Sequence, residues 1–182
     1  MCLNAYLKYN DGVCIMDLKE EDILGEKIYS HWYYRAKGKA MREMIGNKKI
    51  DEVLDVGAGS GIFSRQLLDH GITNSAVCVD PNYAEEKEEQ QNGKPIKFVK
   101  SVDKTTQDLV LMMDVLEHVP DDVALLKEYA DTMEKGGRVL ITVPAFQFLW
   151  SGHDVFLEHY RRYTIEMMEK TIRDAGLTPV KS

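Results

Sequence analysis

A glycine-rich turn preceded by an aspartate is the part of this sequence with the clearest chemistry. Residues 53–61 read VLDVGAGSG, so glycine recurs at every second position after a short apolar run. Glycine has no Cβ atom, and Gly57 and Gly59 therefore allow the backbone to turn tightly and to lie against a ligand. Asp55 precedes the turn, where its carboxylate can accept hydrogen bonds from a cationic amino group. The segment predicts a binding turn for a ligand that carries such a group.

A second aspartate, Asp80, ends the next apolar run about 20 residues after the glycines. A carboxylate at that place can accept hydrogen bonds from both hydroxyls of a ribose. The third glycine, Gly61, comes one residue too early for the G-x-G-x-x-G pattern of dinucleotide sites, and Ile62 stands in its place. The phosphate-binding G-x-x-x-x-G-K-[ST] pattern is absent. The spacing favours a nucleoside joined to an amine over a pyrophosphate.

A second candidate region is the stretch 144–163, which combines aromatic residues with two histidines and two arginines. A loop of this length in a compact domain is usually functional. One hypothesis makes it a substrate pocket in which His153 or His159 acts as general base. The other makes it structural, with aromatic side chains in the core and polar ones in an internal hydrogen-bonded clamp. In that hypothesis the core residues are Phe146, Phe148 and Trp150, and the clamp residues are His153, Asp154, Arg161 and Arg162.

These segments follow the ends of predicted strands. Short apolar runs alternate with helical patterns along the chain, which is typical of a parallel sheet covered by helices on both faces. We therefore predict an α/β fold with a doubly wound, mostly parallel sheet, in which ligands bind beyond the carboxyl ends of the strands. The predicted strands are 53–56, 76–79, 97–100, 109–113 and 138–143, and the predicted helices are 20–45, 61–70, 85–91, 121–134 and 164–175.

Three stretches carry a resemblance to a known family: VLDVGAGSG at 53–61, VCVDP at 77–81 and DLVLMMDVLEHV at 108–119. Over about residues 50–178 the sequence resembles the class I methyltransferases that use S-adenosylmethionine (SAM). The resemblance implies a Rossmann-like sheet and SAM as the cofactor. It implies that the methionine part of SAM lies against Asp55, Gly57, Ala58 and Gly59, and that the ribose lies against Asp80. The adenine would lie beside Pro81 or Asn82, and its amino group would donate a hydrogen bond to Ser101 or Asp103. The transferred methyl group would lie near Asp114, and Tyr33 or Arg35 would contact the cofactor or the substrate.

The resemblance also implies the reaction, which is transfer of a methyl group to a small-molecule acceptor. The [DN]-P-P-[YF] motif of adenine and glutamine amino-methylases is absent, and together with the acidic net charge this favours a small-molecule acceptor, with methylation of a hydroxyl oxygen ahead of nitrogen and carbon. Around Glu117-His118 the sequence is similar to quinone-pathway O-methyltransferases, whose acid-x-x-Glu-His run can hold a divalent metal. The simpler expectation is no metal, with both side chains shaping the pocket and His118 as a third catalytic candidate. A non-catalytic SAM-binding scaffold is a further alternative.

The composition is that of an ordinary globular domain of 182 residues, of which 44% are hydrophobic and 29% are charged. A net charge of -7, from 23 basic and 30 acidic residues, disfavours nucleic acid as a partner. Cys2, Cys14 and Cys78 show no C-x-x-C spacing and favour a reducing compartment. The sequence shows no apolar run of the length of a signal peptide or a membrane span, so we predict a cytoplasmic protein without a membrane span.

Both ends of the chain carry predictions. Residues 1–18 form a predicted N-terminal hairpin or extension with Asp11-Gly12 at its turn, and residues 19–182 form the predicted methyltransferase domain. Class I sheets have seven strands, whereas the six residues after Gly176 can begin a sixth strand but not a seventh. The predicted sheet therefore lacks its last strand at the C terminus. We expect the hairpin to cover the open edge, within one subunit or across a homodimer; a loose hairpin and a fragment of a longer protein are the alternatives.

Overall fold

Six strands form one sheet at the centre of the computed structural model, which describes residues 25–181. The strands are β1 Glu52–Val56, β2 Ser75–Val79, β3 Lys87–Gln91, β4 Lys94–Val99, β5 Leu109–Met113 and β6 Arg138–Thr142. Their order across the sheet is β3-β4-β2-β1-β5-β6. All neighbouring strands in this sheet run parallel except β3, which is antiparallel to β4. The predicted mostly parallel sheet is confirmed.

Helices cover both faces of the sheet. They are α1 Trp32–Ile45, α2 Ile62–Asp69, α3 Asp122–Thr132, α4 Gly152–Phe156 and α5 Ile165–Asp174, with 3₁₀ turns at Gly25–Ser30, Leu116–His118 and Gln147–Leu149. Side chains alternate along β1, so that Val53 packs with α1 and α2 on one face and Leu54 packs with α3 and α5 on the other. The central strands are mostly apolar because both of their faces are buried. The doubly wound α/β class is thereby confirmed.

Local signals in the sequence place the starts of the helices that flank the site. Gly61 stands just before α2 in the left-handed conformation, with φ of 71°. The Asp121 side chain accepts a hydrogen bond from the Ala124 amide at 2.9 Å and so caps α3. The Thr164 side chain does the same for α5 by accepting from the Met167 amide at 3.3 Å. Each of these helices begins within one residue of its predicted start.

The predicted helix at 85–91 is wrong. Residues Lys87–Gln91 are β3, which pairs with β4 as a hairpin. Asn92 and Gly93 join the two strands with φ of 53° and 74°, the positive angles that a two-residue hairpin turn requires. A run of charged residues suits an exposed edge strand as well as an exposed helix, and the Asn-Gly pair was the signal that separates the two.

The chain after α5 does not form the predicted sixth strand in the described residues. The Leu177 amide donates to the Ile172 carbonyl oxygen at 3.0 Å, and residues 177–181 pair with no strand. Within residues 25–181, β6 therefore has β5 as its one neighbour and is an edge strand. The predicted hairpin at residues 1–18 and the start of the predicted domain at residue 19 lie outside the described residues. No helix in the described part of the chain combines the length and the apolar character needed to cross a bilayer.

Candidate active site

The glycine-rich turn joins the carboxyl ends of β1 and β2. The amides of Gly57 and Ala58 both donate to the carbonyl oxygen of Val79, at 2.8 and 3.2 Å. Gly57 has a φ of 66°, and a Cβ atom placed on it would lie 2.9 Å from a methyl carbon of Val115. Only glycine meets both conditions without strain. At this position the turn therefore has no side chain that would keep a ligand away from the backbone.

Asp80 lies directly beside this turn, as the sequence predicts. Its carboxylate is buried and accepts a hydrogen bond from the Gly59 amide at 3.3 Å. The other carboxylate oxygen accepts from the backbone and side-chain amides of Asn82, at 2.9 and 3.0 Å. Burial raises the pKa of Asp80, and the hydrogen bonds from Asn82 and Gly59 oppose that shift. The Tyr83 hydroxyl donates to the Gly59 carbonyl oxygen at 2.7 Å and fixes the turn from the same segment.

Asp55 is buried at the end of β1, below the glycine turn. Its carboxylate accepts a hydrogen bond from the Ser64 hydroxyl of α2 at 2.7 Å. Burial raises the pKa of Asp55 to about 7, because a charged carboxylate loses its hydration there. A cationic group placed against Asp55 would restore the charged form. The role of Asp55 as the partner of an amino group stays a prediction.

Asp114 follows β5 and is held from three sides. Its φ of 59° lies in the left-handed region, which is unusual for a residue with a side chain. That carboxylate accepts hydrogen bonds from the Tyr33 hydroxyl of α1 at 2.7 Å and from the hydroxyl of Thr142, the last residue of β6, at 3.3 Å. It also forms a salt bridge with the ammonium of Lys37, one turn after Tyr33 on α1. Helix α1 is therefore fastened over the carboxyl ends of β5 and β6.

Lys37 is a site residue that the sequence interpretation missed. Only 12% of its side chain is exposed, which is low for a lysine on a surface helix. Its spacing of four residues from Tyr33 was the available signal, because residues at that spacing share a helix face. Arg35, which we expected at the cofactor or substrate, is exposed and lies on another side of α1.

The adenine residues predicted by resemblance follow adjacent strands. Pro81 comes after the end of β2 and Ser101 after the end of β4, and the Asp80 amide donates to the Val99 carbonyl oxygen at 3.1 Å between these two ends. Pro81, Ser101 and Asp103 are all exposed. The geometry brings both predicted adenine contacts to one side of Asp80, and the choice between Ser101 and Asp103 stays a prediction.

The stretch 144–163, hereafter the cap segment, folds back over the end of β5. Its two ends pair with each other, since the Tyr163 amide donates to the Pro144 carbonyl oxygen and the Phe146 amide donates to the Tyr163 carbonyl oxygen, both at 2.9 Å. Its middle is tied to the site, since the Tyr160 amide donates to the carbonyl oxygen of Glu117 at 2.7 Å. The segment is thus an ordered cap.

A clamp centred on Asp154 holds the cap segment together. The Asp154 carboxylate is fully buried and accepts hydrogen bonds from the Arg162 guanidinium at 2.6 and 2.9 Å and from the Ser151 amide at 2.8 Å. It also lies 3.0 Å from Nδ1 of His159. The hydrogen bonds from Arg162 hold the pKa of Asp154 well below its usual range. The clamp differs from the predicted one, because His159 takes part and His153 is exposed. Arg161, also predicted in the clamp, instead forms a salt bridge with Asp122.

The two hypotheses for the cap segment are therefore not exclusive. Phe146 and Phe148 stack on each other with ring centroids 5.5 Å apart, but Phe148 is 81% exposed, so these rings do not fill the core. His159 belongs to the clamp through Nδ1, and its other ring nitrogen, Nε2, has no hydrogen-bond partner in the described residues. Burial lowers the pKa of His159. Nδ1 of His159 thus has a structural role in the clamp, whereas Nε2 can still bind a proton, a substrate or an ion.

Glu117, His118 and His159 meet below the cap segment. The rings of His118 and His159 cross edge to face with centroids 4.6 Å apart. Glu117 is completely buried, and neither of its carboxylate oxygens has a hydrogen-bond partner among residues 25–181. Burial raises the pKa of Glu117 to about 7. One ligand atom from each of the three side chains lies within 4.8 Å of those of the other two.

Comparison with known proteins gives the family. The model of the methyltransferase domain family matches residues 29–182. A ubiquinone biosynthesis O-methyltransferase of Coxiella burnetii is 31% identical over 99 residues, which are 50% of this chain and 42% of that protein. An uncharacterized methyltransferase of Mycobacterium bovis is 29% identical over 114 residues, 59% of this chain and 45% of that protein. The aligned part of the chain thus covers less than half the length of these curated relatives.

Solved structures share the fold. A SAM-dependent methyltransferase of Thermotoga maritima superimposes with a TM-score of 0.63 at 18% identity, over 89% of this chain and 79% of that one. One from Archaeoglobus fulgidus does so with a TM-score of 0.58 at 21% identity, over 85% and 73% of the two chains. The fold class, the family resemblance and the cofactor expected from the sequence are confirmed. The chain belongs to the methyltransferase domain family and has the fold of the class I SAM-dependent methyltransferases, whose cofactor is S-adenosylmethionine.

Proposed function

We propose that this protein transfers the methyl group of SAM to a hydroxyl oxygen of a small-molecule acceptor. The observation that carries the cofactor half of the proposal is the hydrogen bond from the Gly59 amide to the Asp80 carboxylate, which joins the two segments predicted to hold the nucleoside. The choice of oxygen is supported by the Coxiella burnetii relative, which is named an O-methyltransferase. The net charge of -7 favours a small molecule over nucleic acid. A cytoplasmic location stays a prediction.

The residues of the chain mainly have to align the reactants. Bound SAM supplies a methyl group on a sulfonium centre that is already activated. In our proposal Asp80 accepts hydrogen bonds from the ribose hydroxyls, and Asp55 faces the amino group of the methionine part. Gly57 and Gly59 keep side chains away from the cofactor. Asp114, fastened by Tyr33 and Lys37, borders the place where the methyl group leaves.

We place the acceptor between Asp114 and the cap segment. A hydroxyl group must lose its proton when it takes up the methyl group, so a group that assists this loss must lie nearby. Of the three histidines predicted as catalytic, His118 is buried and His159 half-buried in the same cluster, whereas His153 is exposed on α4. This arrangement favours His118 and His159 over His153.

The reaction is tested by measuring S-adenosylhomocysteine formation from SAM against a panel of small hydroxylated compounds, phenols and sugars included. Matched amines and thiols of the same carbon skeletons serve as controls for the acceptor atom. We expect turnover with at least one hydroxyl compound. A protein that binds SAM in calorimetry but turns over none of the panel would be the SAM-binding scaffold. Faster turnover with the amines would contradict oxygen as the acceptor.

The cofactor half is tested by Asp80→Ala. We expect SAM binding to weaken by about 2–4 kcal/mol, because two charge-assisted hydrogen bonds of roughly 1.5–3 kcal/mol each are lost before water replaces them. The matched control is Asp131→Ala, which removes an exposed aspartate from α3. Isothermal calorimetry gives the affinities, and circular dichroism shows that both variants are folded. An unchanged SAM affinity in folded Asp80→Ala protein would remove the central claim.

A further inference from the structure

Glu117, His118 and His159 form a cluster of three side chains that can all bind a metal ion. Glu117 and His118 follow β5 in a single 3₁₀ turn, and His159 comes from the cap segment about 40 residues later in the chain. Their ligand atoms lie within 4.8 Å of one another. The fold therefore brings together two imidazoles and a carboxylate from separate elements around one small space.

The carboxylate of Glu117 needs a partner that the described protein atoms do not supply. Its side chain is completely buried, and both oxygens lack a hydrogen-bond partner among residues 25–181. Burying an unsatisfied carboxylate is costly, and buried carboxylates are normally paired with a cation or hydrogen-bonded. The Lys37 ammonium acts on Glu117 through space, but its salt bridge is with Asp114. The negative charge of Asp114 therefore offsets much of the positive charge that Glu117 experiences from Lys37. A cation in the cluster would satisfy Glu117 directly.

The imidazole of His159 is oriented as a metal ligand is. Its Nδ1 lies 3.0 Å from Oδ1 of the buried Asp154, which Arg162 holds in place through two hydrogen bonds. The opposite nitrogen, Nε2, is buried and has no hydrogen-bond partner in the described residues. Histidines that bind metals almost always give their second ring nitrogen to a carboxylate, carbonyl or water. The Asp154–His159 pair reproduces that arrangement and leaves Nε2 as the ring nitrogen that can bind an ion together with Glu117 and His118.

We propose that Glu117, His118 and His159 bind a divalent transition-metal ion of the zinc type. Two imidazoles and one carboxylate suit Zn²⁺ or Co²⁺, whereas Mg²⁺ prefers oxygen ligands alone. Three protein ligands leave a coordination position open, as in catalytic rather than structural zinc sites. The site differs from the acid-x-x-Glu-His run considered from the sequence, because Asp114 is bound to Tyr33, Lys37 and Thr142 and a histidine of the cap segment takes the third place.

The site goes beyond methyl transfer, so it is tested without SAM or an acceptor. Tag-free, chelator-treated full-length protein is titrated with Zn²⁺ by calorimetry, and with Co²⁺ while visible absorption is recorded. We expect one equivalent to bind and the Co²⁺ form to show the absorption of a nitrogen- and oxygen-ligated ion. An equal concentration of Mg²⁺ should not compete. Failure to bind either ion in folded protein, or equal competition by Mg²⁺, would overturn the proposal and leave the proposed methyl transfer untouched.

Single substitutions locate the ion. We expect Glu117→Gln and His159→Gln each to weaken Zn²⁺ binding at least 30-fold, and Asp154→Asn to weaken it about 10- to 100-fold through the orientation of His159. The matched control is His153→Gln, which removes an exposed histidine from the same cap segment and should bind like the wild type. If His159→Gln does not fold, Glu117→Gln decides, because glutamine has nearly the same shape and no hydrogen bond from Glu117 to another residue within 25–181 is lost. Zn²⁺ affinity that is equal in Glu117→Gln and wild type places the ion elsewhere and refutes the site.

Discussion

At the scale of single residues, the protonation of Asp55 is expected to control cofactor affinity. Burial raises its pKa to about 7, so in the free protein much of Asp55 is protonated below neutral pH. The amino group of SAM favours the carboxylate, and binding must then release a proton. We expect SAM affinity to rise up to about tenfold per pH unit from pH 5 and to level off above pH 7. Calorimetry in buffers of different ionisation enthalpy measures both the affinity and the released proton.

The stability of the free protein should change in the opposite direction. Because folding raises the pKa of Asp55, the protonated carboxyl group stabilises the folded state at pH values below the pKa of Asp55 in the unfolded chain. This stabilisation is lost as the pH rises through about 7.

The variant Asp55→Asn removes the titrating group. Its SAM affinity should therefore be lower than that of the wild type and should no longer rise between pH 5 and 7. A variant that keeps the wild-type pH profile would show that another acid, such as Asp80, controls binding.

The histidines give a second prediction at this scale. His159→Gln is expected to lower turnover about 10²- to 10⁴-fold while SAM affinity is kept, because in our proposals its buried Nε2 either assists the loss of the acceptor's proton or, where the metal ion is bound, serves as its ligand. His153→Gln should be nearly silent, because His153 is exposed. Steady-state rates and SAM affinities are compared on variants with matched melting temperatures. If His153→Gln is the impaired variant, the acceptor lies elsewhere on the cap segment.

Single residues also show what the sequence could and could not predict. Asp55, Gly57 and Asp80 could be placed because they follow apolar strands at a spacing that is local in the chain. Lys37 and Asp114 lie far apart in the chain, and their salt bridge depends on how α1 crosses the sheet edge. Likewise, nothing local indicates that His159 rather than His153 turns toward Glu117. Contacts between distant segments depend on packing angles that a motif does not contain.

At the scale of elements, α1 is expected to depend on Lys37. Lys37→Met leaves the buried Asp114 carboxylate without its salt bridge, which should destabilise the protein by about 3 kcal/mol. For a domain of this size that corresponds to a melting temperature lower by about 6–12 °C. SAM affinity should fall as well, since the helix lies over the cofactor side of Asp114.

The control for this prediction lies on the same helix. Lys39→Met removes an exposed ion pair with Glu43, in which 73% and 68% of the side chains are accessible, and should cost about 0.5 kcal/mol or less. The double variant Lys37→Met, Asp114→Asn should recover part of the melting temperature, because the buried charge is gone. Equal effects of Lys37→Met and Lys39→Met in thermal unfolding would show that α1 is not fastened through Asp114.

The elements themselves were largely predictable where periodicity and caps agree. The central strands and α2, α3 and α5 have continuous apolar runs or regular helical spacing with a glycine or polar residue at one end. The hairpin of β3 and β4 was missed because β3 is exposed and charged. Its sequence therefore lacks the alternation of apolar and polar residues that a half-buried strand shows. Strand β4 runs parallel to β2, yet the chain passes from β2 to β4 through β3 and not through the helix that usually connects parallel strands. The edge of a sheet is where sequence patterns are weakest, because packing constrains the side chains least.

At the scale of the whole molecule, β6 forms one edge of the sheet in the described residues. In the described residues β6 pairs with β5 alone, although Leu140 and Ile141 are apolar and partly buried. An exposed apolar edge with free backbone groups tends to pair with another strand. The family model begins at residue 29, so removal of residues 1–17 leaves the matched domain intact. This deletion therefore separates the contribution of the predicted hairpin from that of the methyltransferase fold.

We propose that residues 1–17 protect this edge, within one subunit or across a homodimer. The truncated chain should then unfold at a lower temperature, by about 2–4 °C for each kcal/mol of edge pairing lost, or should form larger species. Thermal unfolding and light scattering after gel filtration are measured for both chains at several concentrations, since a dimer interface weakens on dilution. Loss of a wild-type dimer on truncation would assign the hairpin to the interface, whereas a lower melting temperature at constant mass would assign it to its own subunit. A truncated chain with the same melting temperature and the same native mass per subunit would refute the role of the hairpin, because an uncovered β6 edge would then be stable in water by itself.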